Sequence, residues 1–202
     1  MTTAVTVAAF VAVGLTVTLA YTLRTGISPV PTSPRVRAAL LASLPADLEG
    51  TVFELGSGWG GLAFALAHRY PSCPVRAYEL SPLPWAVSRL RALFARTPNL
   101  RLLRADFHRA PLGTAVLVVC YLYPGGMARL RPKLAAELPA GALVVSHFFP
   151  VPGWKPLRVH RADDEAASRI FVYRLPAAGT DDTRPGDSCG EKPFSGPFPM
   201  PS

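Results

Sequence analysis

Glu54-Leu55-Gly56-Ser57-Gly58-Trp59-Gly60-Gly61 joins a short apolar run, Thr51–Leu55, to a stretch with helical spacing across Gly60–His68. A strand that breaks into glycines and restarts as a helix suits ligand binding. Glycine tolerates a tight turn and lets a ligand approach the backbone, and the helix start offers free N–H groups. The same letters satisfy G-x-G-x-x-G through Gly56, Gly58 and Gly61, so the loop alone leaves a dinucleotide site open. Glu79, ending the next strand, would accept from ribose hydroxyls in either case.

Two acids separate the readings. Glu54 stands two residues before the first glycine, where a pyrophosphate is repelled and a cationic amine or sulfonium is not. Asp106 follows the third strand, placed to accept from an adenine amino group, with Phe107 beside the ring. An acid before the glycines and one after each of the next two strands is the pattern of Rossmann-like methyltransferases that use S-adenosylmethionine. The expected cofactor contacts are Glu54, Gly56, Ser57, Gly58, Trp59, Gly60, Glu79, Leu80, Asp106 and Phe107. The Trp59 ring would shape the pocket or cover the sheet.

Outward from the loop, strands and helices alternate. Ser33-Pro34 starts a helix, serine as cap and proline in the first turn, with Val36, Leu40, Leu41 and Leu44 at helical spacing. Pro74–Glu79 reads as the second strand. A helix then runs from Pro82 to about Arg96, capped by Ser81, and Leu100–Arg104 is the third strand. Ala115–Leu122 is apolar enough for a strand buried on both faces. Met127, Leu130, Leu134 and Leu138 form a helical stripe that Pro132 should kink or restart, and Ala142–Ser146 is the fifth strand. Strands separated by helices imply a parallel sheet with right-handed crossovers. Leu157–Arg161 and Arg169–Arg174 would add an antiparallel edge.

Residues 1–23 contain no Lys, Arg, Asp or Glu, about the length a helix needs to cross a bilayer. With no positive leader, a single-pass anchor is expected rather than a signal peptide. The first positive charges follow it, at Arg24, Arg35 and Arg37, which would put the catalytic domain on the cytoplasmic side of the cell membrane. The expected organisation is an anchor at 1–23, a linker at 24–33, a methyltransferase domain at 34–176 and a disordered tail at 177–202.

The chain has 202 residues and a formal net charge of +8. Its arginines are scattered and frame no recognised nucleic-acid module, so no nucleic-acid partner is expected. Cys73, Cys120 and Cys189 have no paired spacing, and the four histidines no ligand spacing, so no disulfide framework or metal site is expected.

Tyr78-Glu79-Leu80-Ser81-Pro82 with Trp85 and Ser88-Arg89-Leu90-Arg91-Ala92, the segment Tyr123-Pro124-Gly125-Gly126-Met127, and Phe148-Phe149-Pro150-Val151-Pro152-Gly153-Trp154-Lys155-Pro156 carry a narrower likeness. Together they resemble the small membrane-anchored protein-lysine methyltransferases that include the ATP synthase c-subunit lysine methyltransferase. The resemblance covers roughly residues 31–175. It implies a seven-stranded sheet, mostly parallel, preceded by one transmembrane helix, and methyl transfer to a lysine of a membrane-associated protein. The bilayer and that lysine are then the expected partners. A methyltransferase for a lipid or small hydrophobic molecule, and a non-catalytic nucleotide-binding protein, are the competing readings.

A lysine acceptor must lose its proton, because an ammonium has no lone pair, and an apolar pocket with an oxygen to orient the amine promotes that loss. The end of the fourth strand supplies Tyr121 and Tyr123, two apart and therefore expected on one side of an extended strand. His147, after the fifth strand, is the third catalytic candidate, although a histidine beside Phe148 and Phe149 also reads as structural. Trp154 is either a lid or an anchor for the edge hairpin, and His68, His108 and His160 are expected at the surface.

Overall fold

The computed structural model describes residues 5–6, 32–164 and 167–176. Helix α1 is Pro34–Ser43, with the Ser33 hydroxyl accepting from the Val36 N–H at 3.3 Å and proline in the first turn. There follow β1 (Thr51–Leu55), α2 (Gly61–Arg69), β2 (Val75–Glu79), α3 (Pro82–Ala92) and β3 (Leu100–Arg104). A single 3-10 turn at Phe107–Arg109 leads to β4 (Ala115–Cys120), α4 (Pro124–Glu137), β5 (Leu143–His147), β6 (Arg158–Arg161) and β7 (Arg169–Arg174).

The strands form one seven-stranded sheet in the order β3-β2-β1-β4-β5-β7-β6. The first five are parallel; β7 pairs antiparallel with both β5 and β6. The sheet is therefore the expected Rossmann-like one with an antiparallel edge. Strand alternation divides its core in two. Val52, Val75, Val119, Val145 and Ile170 face Leu40 and Leu44 of α1 and Leu62 and Leu66 of α2. Phe53, Leu55, Val118, Val144, Phe171 and Tyr173 face Met127, Leu130 and Leu134 of α4. Central strands β1 and β4 are buried on both faces, which is why they read as nearly unbroken apolar runs.

The transmembrane helix expected ahead of the sheet is corrected. No helix of the described residues is long and apolar enough to cross a membrane. Within 1–23 only Val5 and Thr6 are described. The anchor, the bilayer as partner and the single-pass placement with a cytoplasmic domain are withdrawn with it. Nearly all of the 24–33 linker and all of the 177–202 tail lie outside the described residues.

Smaller differences have local causes. α3 ends at Ala92, short of the expected Arg96, in turns closed by the Leu93, Phe94 and Ala95 N–H groups. The Ser81 side chain makes no cap hydrogen bond; its N–H instead donates to Glu79 Oε1 at 2.7 Å. α4 runs through Pro132 as one helix, giving up only the bond that a proline cannot donate to the Ala128 carbonyl; Met127 N–H donates to Tyr123 O near its start and Leu138 N–H to Leu134 O at its end. β4 stops at Cys120 rather than Leu122, and β5 extends through His147 rather than stopping at Ser146.

Candidate functional site

β1 has β2 on one side and β4 on the other, so the connections leaving β1 and β4 diverge. In parallel α/β sheets the crevice at such a switch point, outside the carboxyl ends of the strands, is where ligands bind. A cleft lies there, lined by Gly56 after β1, by Glu79, Leu80 and Ser81 after β2, and by Asp106, Phe107 and His108 after β3. Leu122 and Tyr123 after β4, with Gly126 and Arg129 of α4, close it.

The glycine loop is held from below. Gly56 N–H and Ser57 N–H both donate to the Tyr78 carbonyl at 2.9 Å, tying the loop to β2. Gly58 N–H donates to Glu79 Oε2 at 2.7 Å. Glu79 thus accepts one backbone bond on each carboxylate oxygen and keeps lone pairs on both. Two glycines do different work. Gly60 (φ +78) approaches α3 so closely that a Cβ would stand 2.8 Å from Ser88 Cβ. At Gly58 (φ +52) a Cβ would meet nothing within 4 Å. The first is needed by helix packing; the second leaves room above the loop.

Glu54 ends up 5% exposed near the tip of β1, with Oε2 unpartnered. Burial, and secondarily the Glu79 carboxylate, push its pKa well above the usual carboxylate range. A cation placed beside this acid would favour its ionised form and give the stranded oxygen a partner. Asp106 Oδ1 accepts from the His108 N–H at 2.9 Å and caps the 3-10 turn, leaving Oδ2 for a ligand. An orphaned carboxylate oxygen, an acid with lone pairs to spare at the end of β2 and a half-used acid after β3 fit a ligand carrying a cation, a ribose and an adenine.

Of the expected cofactor contacts, Gly56, Glu79, Leu80, Asp106 and Phe107 line the cleft. Glu54, Ser57, Gly58, Trp59 and Gly60 stand outside its lining. Ser57 is buried with an unpartnered Oγ. The Trp59 carbonyl accepts from Arg91 at 3.0 Å. Reading by motif missed Ser81, His108, Leu122, Gly126 and Arg129. Gly126 and Arg129 are one helical turn apart, beside the Met127–Leu130 core stripe, and that spacing was their available signal.

His108 is corrected from surface to cleft wall, and burial holds its pKa below the ordinary histidine value. His68 is exposed, while His160 is half-buried with Nε2 unpartnered.

Tyr121 and Tyr123 do not share a strand face, because β4 ends before them. The Tyr123 ring covers α4's first turn: a Cβ on Gly125 would stand 2.6 Å from Tyr123 Cε2, and one on Gly126 3.2 Å from Cε1. Tyr121 turns to β5 instead, its ring centroid 4.4 Å from that of His147. Burial raises the Tyr121 pKa. Trp154 packs edge-on to the buried Tyr173 ring at 5.8 Å, so it anchors the loop after β5 to the core.

Sheet order, glycine loop and acid set define a class I methyltransferase domain whose cofactor is S-adenosylmethionine. Comparison with known proteins agrees. Residues 54–158 match the ANTKMT methyltransferase domain. The chain belongs to that family. It is 35% identical to the adenine nucleotide translocase lysine N-methyltransferase of Mus musculus over 138 residues, which cover 68% of this chain and 58% of that protein. It is 26% identical to a protein-lysine N-methyltransferase of Saccharolobus islandicus over 151 residues, 71% of this chain and 91% of that one. Among solved structures, an RNA methyltransferase from Salinibacter ruber in complex with S-adenosyl-L-homocysteine superposes with a TM-score of 0.67 at 27% identity. That match covers 76% of this chain and 98% of the other.

Proposed function

We propose that this chain transfers methyl groups from S-adenosylmethionine to a lysine side chain of a protein, by resemblance a membrane-associated one. The single observation that carries the cofactor half is the acid set: Glu54 buried and unpartnered at the tip of β1, with Glu79 and Asp106 at the ends of the next two strands. The lysine half is supported by relatives named as lysine methyltransferases.

When bound, S-adenosylmethionine supplies a methyl on a sulfonium, which passes to the acceptor's lone pair while the electrons of the broken bond stay on sulfur. The remaining work belongs to the chain. Glu79 would hold the ribose hydroxyls, Asp106 Oδ2 the adenine amino group, and Phe107 and Leu80 the faces of the ring. Glu54 would face the ligand's positive charge across the loop of Gly56, Ser57, Gly58 and Gly60, with Trp59 covering the loop. Tyr123 would wall the cleft on the acceptor side, and Tyr121 and His147 the approach to it. Alignment of acceptor and methyl with water excluded is the enzyme's main contribution to such a displacement.

Cell membranes and soluble extract, each incubated with the full chain and labelled methyl donor, test this. The expected result is labelled protein that yields methyl-lysine on hydrolysis, absent with Glu79→Ala. Label in the organic extract instead of protein would replace lysine by a lipid or small hydrophobic acceptor. No binding of S-adenosylmethionine by calorimetry, together with binding of a nicotinamide dinucleotide, would overturn the reading altogether.

A further inference from the structure

Beyond the cleft, the C-terminal rim of the sheet holds a second group of side chains. The register pairs Leu55 with Cys120 and Cys120 with Ser146. One residue further along, Gly56, Tyr121 and His147 fall in a row across β1, β4 and β5. Neighbouring strands lie about 4.8 Å apart, so the row begins at a glycine of the cleft and reaches His147 about 10 Å away. Glu54 and His147 also share a sheet face, each two residues beyond one packed against α1 and α2, Val52 and Val145, and the Tyr121 ring lies against His147.

His147 is 6% exposed, and neither ring nitrogen has a hydrogen-bond partner among the described residues. If the ring only filled space, an apolar side chain would fill it without stranding two polar atoms. The backbone just after it is strained. Phe148 has φ +70, a conformation L side chains avoid, and its N–H is held by the Arg169 carbonyl of β7 at 2.6 Å. That strain sets the Phe148 ring edge-on to His147 at 6.2 Å and against Phe149 at 4.9 Å. Unmade polar bonds and backbone strain in adjacent residues mark a place built for a ligand.

We propose that His147 binds the acceptor: its neutral imidazole accepts a hydrogen bond from the uncharged amine of the lysine, between the Tyr121 and Phe148 rings, at the end of the row that starts from Gly56. This rests on the lysine methyltransferase reading above. A bond accepted from one amine N–H orients the nitrogen and leaves its lone pair free to point at the cleft. Apolar walls disfavour the ammonium and so favour the form that can react. The imidazole must stay unprotonated to accept, and burial holds its pKa down to about 4, against the opposing pull of the Asp164 carboxylate. Asp164 is itself fixed by the Ser168 N–H and hydroxyl, both at 2.7 Å, in the β6–β7 turn.

The test uses the full chain labelled with 15N in its histidines, with S-adenosylhomocysteine bound, titrated with N-acetyl-lysine methylamide at alkaline pH. The His147 ring-nitrogen signals, assigned from a His147→Phe variant, are expected to shift as the amine binds, while those of His68 do not. In the transfer assay His147→Phe should lose about a hundredfold in kcat/KM, the scale of a misplaced reactant. His147→Asn, which keeps an acceptor, should recover part of it, and both variants should keep cofactor affinity. Unmoved His147 signals in the wild-type protein, or wild-type transfer by a His147→Phe variant that binds cofactor, would overturn the proposal. If His147 responds to the amine but no methyl-lysine forms, the functional reading fails and the binding site stands.

Discussion

Two buried titratable groups near the rim of the sheet make opposite demands on pH. Glu54 has a raised pKa, so the folded chain holds that proton more tightly than the unfolded chain does. Its stabilising share is present at low pH and is lost as pH rises through the folded value. At neutral pH Glu54→Gln should therefore stabilise the ligand-free protein in urea melts. The same change removes the complement of a cation, and cofactor affinity should fall roughly ten- to hundredfold by calorimetry. His147 runs the other way. Its pKa drops from 6.5 to about 4, so the unfolded chain binds the proton more readily. Stability from this group is present above the unfolded value and is lost as pH falls from 6.5 toward 4. The loss is at most roughly 3 kcal/mol. Urea midpoints across that window should fall less steeply in His147→Phe than in the wild type.

The join between β1 and α2 shows how one motif serves two ends. A Cβ at Gly60 would overlap Ser88 of α3 in a left-handed backbone. Gly60→Ala is expected to destabilise by about 2–4 kcal/mol, the sum of conformational strain and overpacking. Gly58 has the same handedness and open space above it. Gly58→Ala should cost only about 1 kcal/mol in chemical denaturation yet weaken cofactor binding more than Gly60→Ala does. At the other end of the cleft, glycines at 125 and 126 let the Tyr123 ring lie on the start of α4. The Tyr-Pro-Gly-Gly segment, noticed in sequence as a family feature, thus has a steric reason.

Across the whole domain, cofactor and fold are linked through the cleft, which draws residues from the ends of β1, β2, β3 and β4. A ligand binding only the folded form at a hundred times its dissociation constant stabilises by about 2.7 kcal/mol. For a domain of this size the melting temperature should rise roughly 5–10 °C with S-adenosylhomocysteine. Glu79→Ala should remove most of that shift in a thermal melt. An unchanged shift would take Glu79 out of the cofactor site.

The parallel core and the acid set were legible in the linear text because both follow from local rules. Short apolar runs and glycine punctuation set the strands, and Glu54, Glu79 and Asp106 sit at fixed offsets from strand ends. The N-terminal apolar run was read by the same local rule of length and hydropathy, and the fold carries no membrane-spanning helix among its described residues. His108 and Arg129 entered the cleft only when the 3-10 turn after β3 was brought opposite α4. The parting of Tyr121 from Tyr123 depended on where β4 stops, which its pairing with β5 sets and its apolar letters do not. The glycine loop thus marks its cofactor by short-range spacing. The row from Gly56 through Tyr121 to His147 exists only because long-range register aligns three strand ends across the sheet.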